Sequence, residues 1–200
     1  MADKAVRERE AILRAAYSLI GRPGSSSVSV HDILEAAGLS TRAFYRHFHS
    51  KDELVLTMYR TAAERINAEL ETEVTAAPSP AVALEAFIRR YLAVAYDTRR
   101  TRQAVALMSP EVRATAGFDH TDQELVAARR CIVADLLRTG LADGTFPRVA
   151  DPDEDARAVL SVVSGLILAA VTGEPAPSWD DATAHITGLF LRAFGVTTAG

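Results

Sequence analysis

The stretch from Ala36 to Leu54, AAGLSTRAFYRHFHSKDEL, limits the fold of this chain more than any other. Ala36-Ala37 closes one helix, and Gly38 can take the left-handed position after it without steric cost. Ser40 then stands as an N-cap for a short helix whose Phe44 and Phe48 share one side, four residues apart. Arg42 and Arg46 fall roughly opposite that stripe and Tyr45 lies on its flank. Two aromatics point inward and two guanidiniums outward. A short helix anchored in this way, set at an angle to its predecessor by a glycine turn, reads as the second helix of a helix-turn-helix, the element that lies in the DNA major groove. Ser50-Lys51-Asp52-Glu53 begins another helix with an S-x-x-E capping box, and Lys51 stands beside N–H groups that can hold a phosphate.

The rest of the chain reads as helix throughout. A first helix over about 3–21 carries Arg7, Glu8, Arg9, Glu10 and Arg14 as surface charge and Ile12, Leu13, Ala15, Ala16, Leu19 and Ile20 as core, and stops at Gly21-Arg22-Pro23-Gly24 with Ser25–Ser27 continuing the loop. Ser29-x-x-Asp32 approximates a capping box for a second helix around Ile33, ending at Ala37. The helix from Ser50 is long, with Leu54, Met58, Ala62, Ile66 and Leu70, and breaks at Pro78-Ser79-Pro80. From Ala81 to Thr98, Leu84, Phe87, Ile88, Tyr91, Leu92 and Ala95 keep helical spacing without a miss. Residues 99–119, with Arg99, Arg100 and Arg102, predict one or two short helices. Thr121 or Asp122 caps the next, carrying Leu125, Ala128, Ile132, Leu136 and Leu137, with Gly140 ending it or lying just inside its end. Asp151-Pro152 opens a helix with a cap, a first-position proline and an acidic first turn, and a last helix runs from Ser178 to Phe194. The expected architecture is all-α, about nine helices, with a head over residues 1–50 and a helical body over 51–200.

Charge distribution qualifies the overall −4 of the chain. Residues 1–60 have a balance of +2 and the remaining 140 one of −6. A modestly basic head on an acidic body suits a protein that presents one end to phosphate, and the small surplus calls for a second copy. The single cysteine, Cys131, excludes an internal disulfide, fits a reducing compartment, and is expected to be packed on an apolar helix face. No long apolar run or signal-peptide pattern is present, so a cytoplasmic protein with no membrane partner is expected.

The helix after Pro152 is apolar almost all round from Val159 to Val171, and such a helix must be covered on every side. A twofold dimer through the last two helices of each chain is expected, with Val159, Val163, Leu166, Ile167, Ala170, Ile186, Leu189, Phe190 and Phe194 at the interface, rather than a central helix in a monomer. Residues able to line a small-molecule cavity are Met58, Phe87, Tyr91, Tyr96, Arg102, Leu107, Met108, Phe118, Ile132 and Leu166, each of which also suits ordinary core. Such a cavity, apolar with Tyr91, Tyr96 or Arg102 as polar anchors, suits a hydrophobic effector. No catalytic, phosphate-loop or metal motif is found, so no enzyme activity, cofactor or metal is expected. His47 and His49 diverge too far on a helix to share an ion.

Ile12, Ala15-Ala16, Val30, Ile33, the Ala36–Ser40 turn, Phe44-Tyr45, His47-Phe48 and Ser50-Lys51 together resemble the TetR family of bacterial transcriptional regulators over about residues 5–60. The sequence departs from the family where an aromatic often closes the first helix, since Leu19-Ile20 stand there. The resemblance implies DNA contacts from His31, Thr41, Arg42, Ala43, Tyr45, Arg46, His47 and Lys51. Side-chain chemistry alone selects Arg42 and Arg46 for guanine and Tyr45, His47 and Lys51 for phosphate. The expectation is a homodimeric repressor on double-stranded operator DNA, released by a small hydrophobic effector. The alternatives are a constitutive regulator without effector and an all-α ligand-binding protein with a non-functional head.

Overall fold

The computed structural model describes residues 2–20, 28–107, 109–175 and 177–196. Among them are ten helices and no strand: α1 (Ala2–Ile20), α2 (Val30–Ala37), α3 (Thr41–His47), α4 (Lys51–Ala76), α5 (Pro80–Tyr96), α6 (Thr98–Leu107), α7 (Pro110–Arg113), α8 (Phe118–Ala142), α9 (Pro152–Val171) and α10 (Trp179–Ala193). The all-α expectation is met, and the single turn of α7 accounts for the count above nine. The loop read at Gly21–Ser27 lies outside the described residues.

Contacts divide the chain into two compact units, residues 1–62 with 102–122, and residues 63–101 with 123–200. The first unit therefore extends past the boundary expected at residue 50. The reason is its core: Leu54, Val55 and Met58 of α4, Leu107 of α6, Val112 and Phe118 join Ile12, Ile33, Phe44 and Phe48 in one buried cluster. Three helices of seven to nineteen residues could not enclose those aromatics alone.

Local chemistry sets the head's turns. Ser29 caps α2 and the Asp32 carboxylate returns to the Ser29 N–H at 2.8 Å, a complete capping box. Gly38 ends that helix at φ 65°, where its N–H reaches the Glu35 carbonyl. Ser40 caps α3 through the Ala43 N–H. Phe48, expected inside this helix, is its extended C-cap, yet its ring is still buried against Phe44. Ser50 accepts from the Glu53 N–H, but the returning carboxylate of Glu53 takes the His49 N–H at 2.6 Å instead of closing the box on Ser50. Tyr17 stands where the first helix lacks a later aromatic, and its hydroxyl donates to the Met58 carbonyl at 2.8 Å.

In the second unit α5 is the central element, with α9 on one side and α10 on another. Its Leu84, Phe87, Ile88, Tyr91 and Leu92 are buried, as their spacing predicts. α8 begins at Phe118 rather than at a cap on Thr121 or Asp122: Thr121 is buried and Asp122 accepts from the Tyr59 hydroxyl. Its buried stripe is Leu125, Arg129, Val133, Leu136 and Leu137, so Ala128 faces out and Ile132 is half-buried. Gly140 lies inside α8, beneath the Phe146 ring. Cys131 is exposed, contrary to the packed position expected for it.

The interface expected from α9 and α10 is corrected in its facing. Val159, Val163, Ile167, Ile186, Phe190 and Phe194 are buried within the protomer, and Leu166 and Ala170 are half-buried. Packing on α5 takes those side chains inward. The large apolar side chains left open on these helices are Val162 and Leu168 on α9 and Leu189 on α10, with the exposed Gly165 between the first two. No helix among the described residues is long and apolar enough to cross a membrane.

Candidate nucleic-acid interface

α3 presents two chemically opposite sides. Ala43 and Phe44 face the core and are buried, Phe44 completely. Thr41, Arg42, Tyr45 and Arg46 are exposed, and Tyr45 keeps 59% of its surface open. An exposed tyrosine of this size needs an anchor, and the edge of its ring meets Phe44 at 5.4 Å between centroids. Arg42 is thus a free-standing guanidinium on a rigid platform, suited to bidentate contact with guanine, and Tyr45 offers a hydroxyl beside it. His31, near the start of α2, is exposed, and Lys51 is the first residue of α4, at a helix end whose N–H groups favour anions.

One expected contact is corrected. Ala43 is only 3% exposed, because the same stripe that carries Phe44 turns its methyl into the head, so it packs rather than touches DNA.

Glu8, read from sequence as surface charge, is 8% exposed and faces α3. One carboxylate oxygen stands 3.2 Å from His47 Nε2 and 3.2 Å from Arg46 Nη1. The His47 hydrogen bond first, and the Arg46 and Lys4 charges after it, hold the Glu8 carboxyl below its ordinary value. Arg46 therefore keeps half its side chain open while one edge of its guanidinium is fixed, and His47 is nearly enclosed. The signal for Glu8 was its position four residues before Ile12, on the core stripe of α1. His49 points elsewhere, to Glu53 at 2.8 Å, so the two histidines share no ligand site.

The expected cavity residues fall into both units. Met58, Leu107 and Phe118 belong to the buried cluster of the first. Phe87 and Tyr91 are core on α5, Ile132 and Leu166 are half-buried on α8 and α9, and Tyr96 donates to the Pro177 carbonyl at 3.0 Å. Met108 and the Arg102 side chain lie outside the described residues. The polar anchor that sequence reading missed is Arg129, 8% exposed, on the buried stripe of α8. Its Nε donates to Asn67 Oδ1 at 2.9 Å and its Nη1 to the Tyr91 hydroxyl at 2.7 Å, with the guanidinium 4.7 Å from the Tyr91 ring centre.

This is a helix-turn-helix DNA-binding head followed by a helical body, the plan of a one-component transcriptional regulator. Residues 12–58 match the model for bacterial regulatory proteins of the tetR family. The transcriptional repressor KstR2 of Mycolicibacterium smegmatis is 25% identical over 148 residues, spanning 72% of this chain and 70% of the relative. The regulator BetI of Rhizobium meliloti is 28% identical over 162 residues, 80% of this chain and 73% of its own length. The fold is shared with the regulator FadR of Bacillus subtilis, solved with stearoyl-CoA, at TM-score 0.77 and 14% identity over 92% of this chain and 98% of that one. A TetR-family regulator of Agrobacterium tumefaciens superposes at TM-score 0.70 and 24% identity, covering 94% and 97%.

Proposed function

We propose that this regulator is a repressor that binds a near-palindromic operator as a homodimer and leaves it when a small molecule enters the helical body. The observation that carries the reading is the two-sidedness of α3: Phe44 and Ala43 bolt the helix to the head while Arg42, Tyr45 and Arg46 stand out from it. A positive surplus of only +2 over residues 1–60 supports paired heads, since two sets of contacts are needed for affinity at physiological salt. Val162, Gly165 and Leu168 of α9 with Leu189 of α10 supply the apolar surface for pairing. Repression is the activity named for KstR2, and stearoyl-CoA is bound by FadR, which supports an effector for this chain.

α4 gives the effector a physical handle. It begins with Lys51 and later carries Asn67 and Glu69, whose partners are Arg129 of α8, Arg90 of α5 and Arg100 of α6. A molecule that binds more tightly to one arrangement of those partners biases the helix that bears Lys51, and only that difference in affinity drives release. The reading is tested by fluorescence anisotropy with the DNA upstream of the gene and a scrambled duplex over a salt series. Specific binding at moderate salt supports it; equal or absent binding to the two duplexes at low salt points to a head without DNA function.

A further inference from the structure

Among the described residues Arg129 is a buried cation whose hydrogen bonds go to neutral groups alone. Its hydrogen bonds run from Nε to Asn67 and from Nη1 to Tyr91, and among the described residues no carboxylate pairs with it. Glu69, two residues beyond Asn67 on α4, is bonded to Arg90 at 2.5 Å and Arg100 at 2.9 Å instead. Those two arginines overcome the burial that would raise the Glu69 carboxyl, so it stays ionised and committed to them. A guanidinium largely removed from water without an anion is a costly arrangement in a protein core, and its presence here points to an anion supplied from outside.

The surroundings define that anion. Three helices meet at this guanidinium, with Asn67 from α4, Tyr91 from α5 and Arg129 from α8, and Ser164 of α9 joins through the Tyr91 hydroxyl 3.2 Å away. Since the Tyr91 oxygen accepts from Arg129, its own proton is free to go to Ser164 or to an incoming oxygen. Among the described residues Nη2 of Arg129 has no hydrogen-bond partner, and it is not a buried unpartnered atom, so this edge of the guanidinium still reaches solvent. Ser164 is exposed, so the polar line runs from the buried charge towards solvent. One positive charge with a planar fork suits one planar monoanion, a carboxylate, better than a phosphate dianion. Beyond Tyr91 the α5 stripe continues as apolar core, with the completely buried Phe87 ring 6.0 Å from the Tyr91 ring.

We propose that Arg129, with Tyr91 and Ser164, is the anchor for the carboxylate of an amphipathic monocarboxylate, and that this compound class is the effector. The assignment rests on the regulator reading above. Its test is thermal shift and calorimetry on the full-length protein with decanoate and 4-phenylbutyrate, beside decanamide, 4-phenylbutyramide and decyl phosphate. At least one carboxylate is expected to bind ten-fold or more tightly than its amide, with binding lost in Arg129→Gln and partly kept in Arg129→Lys. Should Arg129→Gln fail to fold, Ser164→Ala, at an exposed position, is expected to weaken the same carboxylate several-fold. An amide or decyl phosphate binding as well as the carboxylate, undiminished binding in the variants, or no binding by any probe overturns the proposal. DNA anisotropy on the same preparations tells the failures apart: intact operator binding without carboxylate binding sinks only the anchor, whereas absent operator binding sinks the regulator reading itself.

Discussion

Glu8 of α1 holds His47 of α3 through a 3.2 Å contact between carboxylate and imidazole, and the same oxygen meets Arg46. A side chain from α1 thus sets the angle at which Arg46 and His47 leave α3. Replacing Glu8 by Gln keeps the shape and removes the charge, so Arg46 gains freedom and non-specific affinity holds or rises. The ratio of operator to scrambled-DNA affinity is expected to fall about ten-fold, the scale of one contact's contribution to discrimination. Anisotropy with both duplexes measures it, and an unchanged ratio would show that Glu8 does not orient these contacts.

The same carboxylate makes the head acid-sensitive. Glu8, Asp32 and Glu53 are all held below their ordinary values, by the His47 hydrogen bond, the Ser29 hydroxyl and the His49 N–H respectively. A depressed carboxyl contributes its full stability above its unfolded-state value and loses it as pH falls through the folded one. Melting temperature is therefore expected to stay level above the ordinary carboxyl range of 3.8 to 4.5 and to drop below it, with a shallower drop in Glu8→Gln. Circular dichroism melts from pH 6 to pH 3 supply the comparison.

Arg42 and Lys51 differ in what they can reach, and their variants separate the roles. Arg42 stands exposed on α3, so Arg42→Ala is expected to relax preference at one operator base pair by about 1–3 kcal/mol. Lys51, at the start of α4, carries no base-reading geometry; Lys51→Ala is expected to weaken all sequences alike and to reduce the salt slope by about one. Binding curves over a salt series with single-position operator variants distinguish the two patterns. The reverse assignment of effects would place the wrong helix in the groove.

What could be read from sequence was local chemistry, and what could not was the choice of face. Ser29, Gly38 and Ser40 announce their caps because each acts on N–H or carbonyl groups within a turn of itself. Phe44 and Phe48 announce the buried side of the head even though Phe48 leaves the helix, since either backbone conformation sends that ring inward. α9 offers no such guide: apolar residues all round it give no period to say which side meets α5, so the sequence favours Val163 for the outer side where Val162 lies. Glu8 and Arg129 were passed over for the opposite reason. Each occupies a core stripe, four residues from Ile12 and from Leu125, but a charge at such a position looks like surface until a partner from a distant segment is in view.

Gly140 tests how tightly the second unit is packed. A Cβ built there falls 2.1 Å from Cδ2 of Phe146, a completely buried ring that also meets Phe194. The glycine is needed for close approach, not for its backbone angle. Gly140→Ala is expected to destabilise by about 1–3 kcal/mol despite the better helix propensity of alanine, and pairing it with Phe146→Leu should recover part of the loss. Urea melts of the single and double variants measure the coupling, and a stabilised single variant would mean the ring moves aside freely.

Leu168 and Leu189 decide whether the open apolar surface is where two chains meet. Leu168 is 43% exposed and Leu189 42%, whereas Val163, one turn from Leu168's neighbours on the same helix, is buried completely. A charge at Leu168 costs little in a monomer, because that side chain already faces water, but it is unpaired and desolvated in an interface. Leu168→Glu is therefore expected to leave helicity intact, to shift the protein from dimer to monomer in light scattering, and to abolish operator binding through loss of the paired head. Val163→Ala removes two methyl carbons from the protomer core and is expected to lower the melting temperature without breaking the dimer apart from unfolding. If Leu168→Glu stays dimeric and bound to operator while Val163→Ala dissociates, the subunits pair through some other face, and the residues turned inward on α5 would have to be reconsidered as shared between protomers.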